Sequence, residues 1–534
     1  MKFRILSISL CVLALLGCEK KQLAPVDNTQ EQEQEQEQQQ QQEQAELQKT
    51  YKYVNTFAYN MMNLYYLWKK EIASGLEKWK QTDEPVAKVL ELRYKDAAGN
   101  DIDRWTTVID DFESFYGSVT GESSGTYGFD LTLMYYDESH KQIVAVVTYT
   151  YADSPAREAG LKRGDVIMEV NGKTMTPSNY VDLVNKAIFD SKSLKLTLMD
   201  GKSVSMQARE MYEDPVLLSK VFDCGGGRKA GYLVYTSFTM ESYKALTEAC
   251  RAFRAEGISD LILDLRYNGG GFARAEQILA SLIGPEDEVL AGSVLATEVF
   301  NEDLTEYYKS KEIDTKTYFA TEYDFSVNDK NYKFSTKGAN AKAGKLYVII
   351  SSGTASASEA LVCDLSPYMD VTLIGSQSHG KYCSGLPLEA VEFYEDYAEE
   401  LGKTEAAAGK KYAENWGLYV MYSRFADKNG ETLCMPDGLK PDVEADDKPS
   451  EPYQLGDPSE AMLAKALALC GYTFPTARPS SAAAPARAYE RLDIAPLRPG
   501  FGLYIHPMDD GTAAFHAAKP GHLPLGKLVD GGSE

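Results

Sequence analysis

The sequence predicts an α/β fold. Three apolar runs of strand length carry that reading: Leu261–Leu265, Leu346–Ile350 and Val371–Ile374. Each leads into a turn of glycine or small residues, and the first turn is followed by a helical pattern from Ala273 to Leu282. At 534 residues the chain is long enough for two or three domains.

The chain opens on a targeting pattern. Lys2 and Arg4 precede an apolar run from Ile5 to Leu16, too short to span a bilayer as a mature helix. Leu15-Leu16-Gly17-Cys18 resembles a bacterial lipobox. That resemblance implies removal of residues 1–17 and lipidation of Cys18. It also implies a lipid-anchored protein of the cell envelope, periplasmic or cell-surface. Residues 30–46 are nearly all Gln and Glu, so the stretch 18–46 cannot bury a core and reads as a solvated tether.

Residues 47–120 read as a helical region. Tyr51, Tyr53, Phe57, Met61, Tyr65 and Trp68 lie at helical spacing, and an aromatic stripe of this kind is expected in a core. Asp103-Arg104-Trp105-Thr106 is expected to dock that region, with no chemical role. A second module spans residues 126–209. It contains an alternating strand pattern from Tyr127 to Leu133, then Ser154-Pro155-Ala156, Ala159-Gly160-Leu161, Gly164-Asp165-Val166-Ile167 and Val170-Asn171-Gly172. These short matches resemble the PDZ domains of bacterial proteases. Such domains bind an extended peptide at a sheet edge and hold its terminal carboxylate in a backbone nest. By that resemblance the carboxylate loop is Tyr127-Gly128-Phe129.

The third domain covers residues 215–470 and begins in earnest near Gly231-Tyr232-Leu233-Val234-Tyr235. The run Leu261–Leu265 reads as a buried strand that gives way to the glycine turn Asn268-Gly269-Gly270-Gly271. A dinucleotide loop of Gly-x-Gly-x-x-Gly type is excluded there, because the third position is Arg274. Residues 299–343 form a polar, tyrosine-rich excursion, readable as a flap over a cleft or as a surface insertion. Ser459–Leu469 reads as a final helix. Residues 471–534 form an Ala/Pro-containing tail with no assigned role.

Chemistry concentrates after the strands. Gly353-Thr354-Ala355-Ser356-Ala357-Ser358-Glu359 is followed by His379-Gly380-Lys381, which puts Lys381 25 residues after Ser356. A serine hydroxyl needs a base to become a nucleophile. A lysine serves if burial makes it neutral near pH 7. Ser-Ala-Ser-Glu followed at this distance by Gly-Lys resembles the carboxyl-terminal (tail-specific) processing proteases, as does the Asp264–Gly271 turn. The resemblance implies a crotonase-like α/β protease core with an inserted PDZ-like domain. It implies Ser356 as nucleophile, Lys381 as base, and an oxyanion hole from Gly270 and the Ala357 amide. It implies no cofactor and no metal. The family usually carries a glutamine four residues after the lysine, and here that position is Gly385.

The function expected is therefore an exported serine endopeptidase acting on proteins or peptides whose C-terminal tails the PDZ-like module recognises. Two alternatives stay open. One is an inactive fold that holds peptides as an envelope scaffold, and the other is an esterase or amidase using the same dyad. The net charge of −24 excludes nonspecific nucleic-acid binding. No His-Glu-x-x-His and no Cys-x-x-Cys occurs, so a metalloprotease and a zinc or thioredoxin-like site are unsupported. Export permits disulfides among Cys224, Cys250, Cys363, Cys383, Cys434 and Cys470, but isolated buried thiols fit equally well.

Overall fold

A computed structural model describes residues 29–113, 115, 125–189, 191–327, 330–474, 490–491 and 504–505. The targeting segment and Cys18 lie outside the described residues. The Gln/Glu stretch is exposed over residues 36–46 but belongs to the helix Thr29–Tyr65, because Gln and Glu are good helix formers even without a core to face. No helix among the described residues is long and apolar enough to cross a membrane.

The helical region does not stand alone. Phe57, Met61 and Tyr65 share a core with Phe393, Tyr394 and Tyr397, which belong to helical turns inserted late in the chain. Leu386, Leu418 and Val420 from a sheet of the third domain close the same core. The aromatic stripe is thus buried, but against residues more than 300 positions away.

The PDZ-like module is an antiparallel sheet in the order Phe129–Tyr135, Ile143–Thr150, Val166–Val170, Ser193–Leu198, Ser203–Gln207. Ser193–Leu198 alternates exposed and buried, the mark of a strand with one face on a core. An isolated antiparallel bridge pairs Thr126 with Arg209.

The central sheet of the third domain runs Val443–Glu444, Val371–Gly375, Lys345–Ile350, Asp260–Asp264, Arg228–Tyr235, Val216–Gly225. Every pair is parallel except the last. Helices Tyr243–Glu256, Ala273–Ile283 and Ala357–Leu365 make crossovers between parallel strands. Asp264 pairs Ile349, and Ile350 pairs Gly375, so three neighbouring strands end side by side. The turns after them carry Gly270, Ser356 and Lys381. Open α/β sheets place their sites there, beyond the carboxyl ends of parallel strands.

A second, mostly antiparallel sheet pairs Cys383–Glu389 with Gly417–Asp427. From the tail, Tyr504–Ile505 pairs in parallel with Gly271–Phe272 on one side and with Gly385 on the other. Glu490–Arg491 pairs with Met134 and Tyr135, on the edge strand of the PDZ-like module. The 299–343 excursion is neither a free flap nor a loose insertion. Leu304 and Tyr308 enter the helical core, and the hairpin Glu322–Ser335 buries Tyr323, Phe325 and Tyr332 in the main core. The six cysteines are all buried free thiols, which selects the second of the two cysteine readings.

Candidate active site

Ser356 sits at the turn between the strand Lys345–Ile350 and the helix Ala357–Leu365. Its backbone has φ 61° and ψ −116°, a region that L residues avoid. The side chain is fully buried, and its Oγ makes no hydrogen bond. Ser358, two residues on, donates its hydroxyl to the Asn268 carbonyl at 3.0 Å. Of the two serines in the motif, only Ser356 has an uncommitted hydroxyl.

Lys381 is also completely buried. Burial lowers its pKa to about 7, against the pull of Cys383, Asp103 and Glu359, which favour the ammonium. Its Nζ donates to Tyr419 Oη at 3.1 Å and lies over two rings, 5.7 Å from the centre of Trp105 and 5.3 Å from that of Tyr419. Ser356 and Lys381 are not hydrogen-bonded to each other in this form.

The two turns are tied together by Glu359. Its buried carboxylate accepts from the backbone N–H of Ser356 at 2.8 Å, of Gly380 at 2.7 Å and of Lys381 at 2.8 Å, and from the Ser378 hydroxyl. Ser378 Oγ itself accepts from the Leu439 N–H, so its proton points at Glu359. Burial pushes the Glu359 carboxyl up, but four converging donors require the ionised form. A hydrogen bond to a charged acceptor contributes about 1.5–3 kcal/mol net. Four of them outweigh the roughly 1–3 kcal/mol cost of holding a non-glycine residue at the Ser356 backbone angles. Read from the sequence, Glu359 has no role of its own. A glutamate opening an otherwise apolar helix was the available signal.

Gly270 packs directly on Ser356. A Cβ at Gly270 would lie 2.8 Å from Ser356 Cβ and 3.0 Å from the Ala357 nitrogen. Ala357 opens its helix, where N–H groups lack intrahelical acceptors. The structure therefore brings Gly270 and Ala357 to the serine. One expectation is not met in this form: the Gly270 N–H is not open to an oxyanion, because it donates to Asn268 Oδ1 at 2.9 Å. Asn268 also holds the serine turn, its carbonyl accepting from Ala355 N–H.

Trp105, given no chemical role by the sequence, flanks the lysine and also faces the His379 ring at 6.4 Å. Asp103 positions this loop by accepting from Tyr66 Oη and from the Trp105 and Thr106 N–H groups. In the PDZ-like module, Tyr127 and Phe129 are buried in the module's own core, and Tyr127 Oη donates to the Ser191 carbonyl. Gly128 has φ 70°, and its N–H donates to Thr126 Oγ1 at 2.9 Å, so that donor of the expected carboxylate nest is engaged.

The module reaches the turn that follows Asp264 through buried charges. Arg163 donates to the Thr148 carbonyl, to Tyr267 Oη and to Asp447. Arg266 spans Asp264, Asp447 and Glu460. Burial opposes the Asp447 carboxylate, yet the two guanidiniums hold its pKa at about 2.

A family model for peptidase family S41 matches residues 229–445, and a PDZ-domain model matches residues 146–189. Residues 229–445 are thus similar to peptidase family S41. Among relatives, a carboxyl-terminal-processing protease of Synechocystis is 26% identical over 270 residues, 49% of this chain and 54% of the relative. The carboxy-terminal processing protease CtpA of Bacillus subtilis is 24% identical over 294 residues, 55% of this chain and 51% of the relative. The chain thus spans about half the length of these curated relatives. A crystal structure of a putative S41 protease from Bacteroides fragilis shares the fold, with TM-score 0.55 and 21% identity over 78% of this chain and 96% of that one. Among the described residues no cluster of His, Cys, Asp and Glu could hold a metal ion.

Proposed function

We propose that this chain is an exported serine endopeptidase with a Ser356–Lys381 dyad, acting on extended C-terminal tails of proteins or peptides. One observation carries the reading. A strained, buried serine with an uncommitted hydroxyl is clamped through Glu359 to a buried lysine whose pKa is near 7.

The chemistry follows from these groups. Neutral Lys381 takes the Ser356 Oγ proton as Oγ attacks the scissile carbonyl carbon. The oxyanion that forms is met by the Ala357 N–H, and by the Gly270 N–H once it leaves Asn268. Lys381 then gives its proton to the departing amide nitrogen as the C–N bond breaks, leaving an ester on Ser356. Water, deprotonated by Lys381, attacks the ester, and the proton returns to Ser356 Oγ as the C–O bond breaks. The strand slot between Gly271–Phe272 and Gly385 supports an extended substrate, since the chain's own Tyr504–Ile505 is held there by backbone pairing. The PDZ-like module supports recognition of C-terminal tails. The Cys18 motif supports a lipid anchor in the cell envelope.

The experiment is incubation of the purified chain, beside Ser356→Ala, with an unfolded protein ending in apolar residues, with fragments identified by mass spectrometry. Cleavage by the parent alone is the expected result. Two observations favour the scaffold reading instead: the missing Ser356–Lys381 hydrogen bond and the engaged Gly270 N–H. Tail peptides bound but never cut by the parent would select it.

A further inference from the structure

We propose that Tyr419 is the positioning residue for Lys381, and that Gly385 exists to make room for it. The inference rests on the dyad reading above.

The observation is geometric. In the S41 resemblance a glutamine stands four residues after the lysine, where it can orient the amine. Here that position is Gly385, which leaves Lys381 without that partner. The strand Gly417–Asp427 supplies another. Gly385 pairs Met421, so Tyr419 is its diagonal cross-strand neighbour on the same face of the sheet. A Cβ placed on Gly385 would fall 2.0 Å from Tyr419 Cζ and 2.1 Å from its Oη. No residue but glycine fits at 385 while this ring is present. The glycine and the tyrosine are one device: the side chain removed from one strand is replaced by a longer one from the next.

Tyr419 does what an orienting group must do. Its Oη accepts from Lys381 Nζ at 3.1 Å, and its ring is itself fixed, 1% exposed and 5.8 Å from the Phe115 ring. A neutral amine has one lone pair and two N–H bonds. Donating one N–H to Tyr419 restricts rotation about Cε–Nζ and leaves the lone pair for the serine proton. When that proton arrives, the phenol oxygen faces an ammonium and stabilises it. The other groups facing the amine are Asp103 before the first short strand, Glu359 on the serine helix and Cys383 on the neighbouring strand. Glu359 spends its oxygens on backbone donors and Ser378. Asp103 spends its own on Tyr66 and backbone donors. Among the described residues, the hydrogen bond of Lys381 Nζ goes to Tyr419 Oη.

The test is Tyr419→Phe, which keeps the ring and removes the acceptor. Thermal unfolding should be nearly unchanged. kcat should fall on the order of 10- to 100-fold, the loss of one hydrogen bond to a charged group, with KM within about twofold. Because the lost acceptor favoured the ammonium, the Lys381 pKa should move down, carrying the acid limb of kcat/KM to lower pH. Gly385→Ala tests the pairing. It should displace the ring and impair the parent, yet cost little more in a Tyr419→Ala background, and Gly385→Gln with Tyr419→Ala should recover part of the lost kcat. A carbon-13 titration of Lys381 Cε, assigned with Lys381→Arg, reads the same contact without turnover. If the parent hydrolyses nothing but the Cε titration still shifts in Tyr419→Phe, the contact stands and the protease reading fails. A Tyr419→Phe protein with parental kcat, acid limb and Cε titration overturns the proposal.

Discussion

The proposed nucleophile rests on a difference between two serines two positions apart. Ser356 has a free hydroxyl and a strained backbone, whereas Ser358 is bonded to the Asn268 carbonyl. Ser356→Ala is therefore expected to remove hydrolysis, on the order of 10⁶-fold in kcat for loss of a nucleophile, while Ser358→Ala keeps most of it. Fluorogenic peptide assays of the two variants check this, and the reverse pattern would mean that the register is wrong. Lys381 gives a prediction of opposite sign for activity and stability. Its folded pKa of about 7 lies below the ordinary lysine value, so the unfolded chain binds the extra proton between about pH 7 and 10. Stability from this group rises with pH across that window, and below it the buried ammonium is a full burden. Lys381→Met should be inactive yet melt higher than the parent at pH 6, as calorimetry would show. A lower melting temperature would mean that the amine is held by more than its catalytic task requires. The parent's kcat/KM should rise with pH through about 7.

At the scale of elements, the telling contact is between the PDZ-like module and the turn that follows Asp264. Arg163 bridges the two, and it is 3% exposed. Arg163→Met leaves Asp447 buried with Arg266 and the Tyr267 hydroxyl as partners, a loss of at most about 3–5 kcal/mol, the cost of a fully broken buried pair. Urea unfolding should show it. The pH dependence has a definite sign. Asp447 is held at about 2, below an ordinary aspartate, so its contribution is complete above about pH 4 and is lost as pH falls toward 2. The parent should lose stability in that window, and Asp447→Asn should flatten the loss. An unchanged acid limb in Asp447→Asn would show that other carboxylates dominate.

For the whole molecule, the tail is the element to remove. Tyr504–Ile505 pairs within the strand slot and Glu490–Arg491 pairs on the edge of the PDZ-like module. Both are places where an extended substrate would add. A chain ending at residue 474 should therefore bind peptide substrates more tightly, read as a lower KM with kcat little changed. An equal or higher KM would show that the tail does not compete. The described core ends with the helix Ala461–Leu469 and the aromatic contacts of Tyr472 and Phe474, so this truncation leaves the packing intact.

The sequence by itself determined the α/β class, the three strands that end in turns and the Ser-Lys spacing, because apolar runs and glycine turns are local signals. Ser356 and Lys381 stood out as candidates by the same local spacing, whereas Gly270 and Ala357 were named only through the family resemblance. The module resembling PDZ was legible from short matches within one stretch of chain. Only the tertiary structure decided what surrounds them. Trp105 and Tyr419 carry no local mark of a site, and Glu359 carries only its place in the serine motif; their roles arise from contacts with residues up to 276 positions away, as between Trp105 and Lys381. Gly385 read in isolation is a missing side chain. Beside Tyr419 it is the space another strand uses, since cross-strand register is set by the whole sheet and not by either strand alone.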